Sequence, residues 1–95
     1  MGRDFSYRII YDYTIKSESD KSDSYEYEYD DNISRHNDYI CEGKYNYCNL
    51  LNKIVEYANE INNSEDRNDI LEAIMIYSRL AKEMDETCLV KIRYR

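Results

Sequence analysis

The tripeptide Glu42-Gly43-Lys44 matches the E-x-K half of a metal-dependent nuclease pattern, with Asp30 or Asp31 as the missing acid. In such a site the carboxylates hold a divalent cation and the lysine stabilises charge developing on phosphate. The tripeptide is too common to carry that chemistry alone, and the chain is short for such a fold. His36 and Cys41 supply a base and a nucleophile, but a lone pair five residues apart is ordinarily chance. Asp20 and Asp23 have part of a calcium-loop spacing and lack the glycine and terminal glutamate that complete it. Cys41, Cys48 and Cys88 fit neither zinc nor redox spacing and read as reduced, mostly buried thiols. There is no P-loop and no GxGxxG. The expectation is a protein with no catalytic residue, no metal and no cofactor, and not an enzyme.

What remains is a surface. The stretch Ser24-Tyr-Glu-Tyr-Glu-Tyr-Asp-Asp31 alternates aromatic and acid, the signature of a strand with two unlike faces. Tyr25, Tyr27 and Tyr29 share one face and Glu26, Glu28 and Asp30 the other, with the carboxylates expected outward. Successive carboxylates on such a face stand ~6.7 Å apart, a scale that resembles the charge spacing of a nucleic-acid strand, about 3.4 Å per phosphate. Such a row repels nucleic acid and suits a basic groove on another protein. The charge is also concentrated. Residues 17–42 hold nine acids and two bases, which accounts for the whole net charge of −7, and the rest of the chain balances to zero. That asymmetry bears on partners rather than on fold.

The elements that must position these residues follow from periodicity. Residues 5–15 alternate through Phe5, Tyr7, Ile9, Tyr11, Tyr13 and Ile15, with Ile10 alone out of phase, and predict a long strand. Residues 17–24 have no apolar side chain and predict an exposed, mobile loop, so a second strand from Tyr25 to about Asp30 closes an antiparallel hairpin. Tyr39-Ile40-Cys41 is a candidate short third strand, with residues 42–44 as a turn. The period then changes. Tyr47, Leu50, Leu51, Ile54, Val55, Ala58 and Ile61 predict an amphipathic helix over 47–61. A second helix over 65–84, capped by Ser64, carries Ile70, Ala73, Ile74, Tyr77, Leu80, Ala81 and Met84 inward. A last strand covers 88–94 with Lys91, Arg93 and Arg95 on its outer side. The predicted fold class is α+β, in the order β-β-(β)-α-α-β. It is a two-layer sandwich, an antiparallel sheet of three to four strands packed against two antiparallel helices.

Ninety-five residues predict a single domain spanning 1–95. Its core is rich in tyrosine, with 12 Tyr against one Phe, so hydroxyls must find partners. No apolar run reaches the ~18 residues needed to span a bilayer and the N-terminus lacks a signal-peptide core, which predicts a cytoplasmic protein with no membrane partner. A purely structural explanation of the alternation sets Lys91, Arg93 and Arg95 across from Glu26, Glu28 and Asp30 as cross-strand pairs. That explanation leaves Glu18, Asp20, Asp23, Asp31, Asp38 and Glu42 without nearby bases.

Through the acidic hairpin from Glu18 to Asp31, on a chain of under a hundred residues without a catalytic motif, the protein resembles the small acidic proteins that phages use to inhibit host defence, anti-CRISPR and anti-restriction proteins among them. The resemblance implies stoichiometric occlusion of the basic groove of a nucleic-acid-binding host protein, within the host cytoplasm, and no direct contact with nucleic acid. The expected partner-binding residues are Asp23, Tyr25, Glu26, Tyr27, Glu28, Tyr29, Asp30, Asp31 and Tyr39. Two other readings stay open, a homodimer pairing through Tyr-rich faces and an antitoxin or immunity protein for a basic toxin.

Overall fold

A computed structural model describes residues 2–11, 27–63 and 65–95. Four strands form one antiparallel sheet in the order β2-β1-β4-β3. They are β1 (Phe5–Ile10), β2 (Glu28–Tyr29), β3 (Gly43–Asn46) and β4 (Leu89–Tyr94). Two helices, α1 (Tyr47–Glu60) and α2 (Arg67–Lys82), joined through a 3₁₀ turn at Ile61–Asn63, make the second layer. The order is β-β-β-α-α-β, the α+β arrangement that the periodicity predicts. Among the described residues no helix is long and apolar enough to cross a membrane.

Alternation decides which strand residues reach the helices. Phe5, Tyr7 and Ile9 of β1 lie opposite Tyr94, Ile92 and Val90 of β4, and Val90 is in turn opposite Tyr45 of β3. All of these line the core or pack on it. From the helices come Leu50 and Tyr57 of α1 and Ile70, Ala73, Ile76, Tyr77 and Leu80 of α2. α1 starts at a reciprocal capping box: Asn46 accepts from the Asn49 amide at 2.8 Å, and Asn49 accepts from the Asn46 amide at 3.0 Å. α2 carries Asp69 in its first turn and Arg79 and Lys82 in its last, each at the end of the helix dipole that favours its charge.

Several expectations are corrected. β1 ends at Ile10, Tyr11 lies in a turn, and the rest of the predicted strand, with the 17–24 loop and the Ser64 cap, falls outside the described residues. α2 starts at Arg67, so Asp66 is its N-cap residue. The core stripe of α1 runs through Leu50, Ile54 and Tyr57, leaving Leu51 and Val55 at 40% and 60% exposed. The third strand is 43–46 rather than 39–41. The reason is hydrogen bonding: side chains far away in sequence claim the polar backbone of 39–41. The Tyr57 and Tyr77 hydroxyls donate to the Tyr39 carbonyl at 2.9 and 3.4 Å. The Cys41 amide donates to the Tyr77 hydroxyl at 3.0 Å, and its carbonyl accepts from Tyr45 at 2.7 Å. A backbone so occupied has no need of a strand partner. Gly43, at φ 155°, then turns the chain into β3 through a conformation that side chains disfavour. The thiols of Cys41, Cys48 and Cys88 are free, and of the three only Cys88 is buried.

Candidate protein-binding edge

The register of β2 settles which way the tyrosine–acid alternation faces. Tyr29 pairs with Ser6 and Glu28 with Tyr7. Since Tyr7 turns toward the helices, Glu28 does too, and Tyr29 lies on the outer face of the sheet. One residue of slip would exchange the two rows. The predicted arrangement, acids outward and tyrosines inward, is therefore reversed. Tyr27 follows Tyr29 to the outer face, where the Arg93 guanidinium stacks 4.0 Å from its ring centroid. Asp30 follows Glu28 to the helix side and meets Arg79 of α2 at 2.8 Å.

The predicted pairing of β2 acids with β4 bases is also corrected, because β1 lies between the two strands. On the outer face Lys91 stands opposite Arg8 on one side and Lys44 on the other, a row of three cations. Lys91 itself is only 5% exposed, and none of the three is without an interaction partner.

Among the described acids of residues 17–42, three are tied to arginines. Asp30 pairs with Arg79, Asp38 with Arg3 at 3.2 Å, and Glu42 with Arg95 at 2.8 Å. The Asn32 amide, followed by Arg79, holds the Asp30 carboxyl below the usual carboxylate range, and Arg95 does the same for Glu42. Among the described residues Glu28 and Asp31 make no ion pair, and both are exposed. Glu28 opens onto a depression of about 690 Å³ that it lines with Tyr7, Ile9, Tyr11 and Glu83. Arg8 and Ile10 complete its wall. Tyr11 and Tyr29 are 62% and 69% exposed. Burial, then the Glu83 charge, raises the pKa of Tyr7 above the ordinary tyrosine value. The exposed carboxylates of Glu28 and Glu83, neither in an ion pair with another described residue, thus border one hollow walled in part by Tyr7 and Tyr11.

Of the predicted partner residues, Tyr27, Glu28, Tyr29, Asp30 and Asp31 lie along this edge and its approach. Asp23, Tyr25 and Glu26 lie outside the described residues. Tyr39 is placed elsewhere: its ring packs edge-on against Tyr57 of α1 at 5.5 Å and its hydroxyl meets Asp66 at 3.4 Å. Glu83 is the residue that periodicity does not single out. It stands one residue past α2, and only the tertiary fold brings it beside Glu28.

The residues considered for catalysis are dispersed. Asp30 lies at the β2 edge and Glu42 and Lys44 at the β3 edge, three strand spacings apart, or about 14 Å. His36 is exposed, and the Cys41 thiol points to the Tyr39 carbonyl at 4.0 Å. Among the described residues no three of His, Cys, Asp and Glu cluster to hold a metal ion. No family model matches the chain, and comparison with curated proteins and with solved structures finds no match.

Proposed function

We propose that this is a non-enzymatic acidic binding protein that occupies the basic groove of a nucleic-acid-binding host protein, in the manner of phage-encoded inhibitors of host defence. The observation that carries this reading is the placement of Glu28 and Glu83, both exposed and neither in an ion pair with another described residue, on one hollow with Tyr7 and Tyr11. Elsewhere the fold ties Asp30, Asp38 and Glu42 to arginines, whereas these two carboxylates stay available to a partner. Their hollow admits an arginine or lysine head group, and exposed Tyr29 and Asp31 extend the contact along the edge. Acidic patches of this kind speed encounter with basic surfaces and set register more than they add affinity.

The test is capture of partners from a bacterial lysate, followed by binding measurements with Glu28→Lys and Glu83→Lys combined. The expected loss is at least roughly tenfold in affinity, about 1.4 kcal/mol, with circular dichroism unchanged. Binding of the parent weakens as salt rises and competes with DNA or RNA for the same partner. A partner that binds the reversed variant as tightly as the parent sinks the proposal. Capture of a basic toxin instead would recast the protein as its immunity protein, with the same edge tested in the same way.

A further inference from the structure

Strand β2 is two residues long and lies at the end of the sheet, paired to β1 alone. So short a ladder holds its register weakly. The sequence does not hold it either, because Tyr25-Glu-Tyr-Glu-Tyr-Asp30 repeats every two residues. A slip of one exchanges the two faces, and a slip of two keeps acids and tyrosines where they are. Either slip takes Glu28 away from Tyr7, its partner in the observed register.

Asp30 breaks the repeat. Its amide donates to the Phe5 carbonyl at 3.2 Å, which carries the ladder one step past β2. One carboxylate oxygen accepts from the Asn32 amide at 3.0 Å, an Asx turn that ends the strand at this residue. The other accepts from the Arg79 guanidinium of α2 at 2.8 Å. Both oxygens are engaged within the chain, and the side chain is only 15% exposed. Arg79 lies in the last turn of α2, four residues before Glu83 and on the same helical face. Besides burial, the Tyr7 phenol feels the charges of Glu83, Arg79, Glu28 and Asp30, so these four gather round one ring. A slip of one would turn Asp30 away from α2. A slip of two would set Glu28 or Asn32 before Arg79 and lose the Asx turn.

We infer that the Asp30–Arg79 pair is the clasp that fixes the register of β2, and that Arg79 is a positioning residue that sets Glu28 beside Glu83. This deepens the function proposed above and rests on it for its purpose. Asp30 then fastens the edge rather than touching the partner. Long-range charge predicts the opposite behaviour. Losing Arg79 deletes a cation and releases a carboxylate, which by field alone draws a basic partner in more strongly. A clasp predicts weaker binding, because an edge that wanders in register must be ordered again each time it binds.

Amide hydrogen exchange followed by NMR tests the clasp on the whole chain with no partner present. In Arg79→Gln the Asp30 amide is expected to exchange at least roughly threefold faster, the scale of one partly exposed ion pair. The amides of Tyr77 and Val90 are expected to keep their rates, so the change is local to the edge. Arg79→Lys, which still reaches the carboxylate, is expected to restore most of the protection. Calorimetric titration with a nine-residue arginine peptide at low salt supplies the second readout. Arg79→Gln is expected to bind this probe at least roughly threefold more weakly than the parent, although its net charge is more negative. Adding Asp30→Asn to that variant is expected to weaken binding little further, since the two residues act as one unit. Unchanged exchange at Asp30 in Arg79→Gln overturns the inference, and so does tighter binding of the peptide. A parent that ignores the peptide tells against the proposed function instead, and the Asp30 amide then decides the clasp by itself.

Discussion

Residues 37–41 and strand β2 invite comparison, since each is a short segment that sets one tyrosine among polar groups. β2 is regular, alternates in sequence and is paired to β1, yet both its residues are exposed. Residues 37–41 have no regular structure, yet Asn37 is fully buried and four side chains reach their backbone. Asn37 donates to the Asp69 carbonyl and the Glu72 carboxylate and accepts from the Tyr39 amide. Its own amide donates to the Tyr94 hydroxyl, which donates in turn to the Ser34 carbonyl. Regularity and stability part company here. The irregular segment is where the fold is fastened, and the regular one is where it meets solvent.

That contrast is sharpest under substitution. Asn37→Leu keeps the branching and heavy-atom count but leaves the Tyr39 amide, the Asp69 carbonyl and the Glu72 carboxylate without their partner. The expected loss is about 3 kcal/mol in urea denaturation, as for a buried polar network broken on one side. A loss under about 1 kcal/mol would erase the distinction between the two segments. Tyr77→Phe removes a hydroxyl that both accepts from Cys41 and donates to Tyr39, and it is expected to cost about 1–2 kcal/mol.

Alkaline titration separates the same regions without mutation. Burial raises the pKa of Tyr45, Tyr57 and Tyr77 above the ordinary tyrosine value of 10.0. A raised pKa means that the folded state favours the neutral ring. The stability this contributes is complete below 10 and declines as pH rises past it. Tyrosinate absorbance should show these rings ionising late, together with unfolding. At the other extreme Asp30 and Glu42 have lowered pKa values, from 3.8 and 4.5. Their contribution is present above those values and fades as pH falls below them. Both carboxylates are near the surface, so the acid effect is expected to be smaller than the alkaline one.

The smallest effect on stability belongs to the exposed edge. Glu28→Lys and Tyr29→Ala are each expected to shift stability by less than about 0.5 kcal/mol, since neither side chain is buried. A larger shift in the urea midpoint would mean that the edge helps to hold the fold, and would weaken the case that it is kept for a partner.

Legibility in the sequence followed periodicity. β1, β4 and both helices are visible in the alternation of Phe5 to Ile9, in Val90 to Tyr94, and in the i, i+3, i+4 spacing after Tyr47. The third strand was hidden because Tyr39-Ile40-Cys41 looks more like a strand than Gly43-Lys-Tyr-Asn46 does. Tyr57 and Tyr77 overrule that preference from 18 and 38 positions away. In the candidate site the tyrosine–acid alternation of β2 was legible but its facing was not, because facing depends on register with β1. Glu83 carries no local signal, because its place beside the edge depends on how separate elements come to lie side by side.

The sheet order has a consequence for how the molecule is made. Its two central strands, β1 and β4, are the first and last in chain order, and Phe5 opposite Tyr94 joins positions 89 apart. Loops that long are closed slowly, and the entropy is lost before any strand contact returns it. During synthesis β1, β2, β3 and both helices leave the ribosome before β4, the strand that joins β1 to β3. The inner face of β1, with Phe5, Tyr7 and Ile9, waits uncovered until Val90, Ile92 and Tyr94 arrive. At ~5–20 residues per second that wait is on the order of ten seconds, a window in which the nascent chain is open to chaperones and to misassociation.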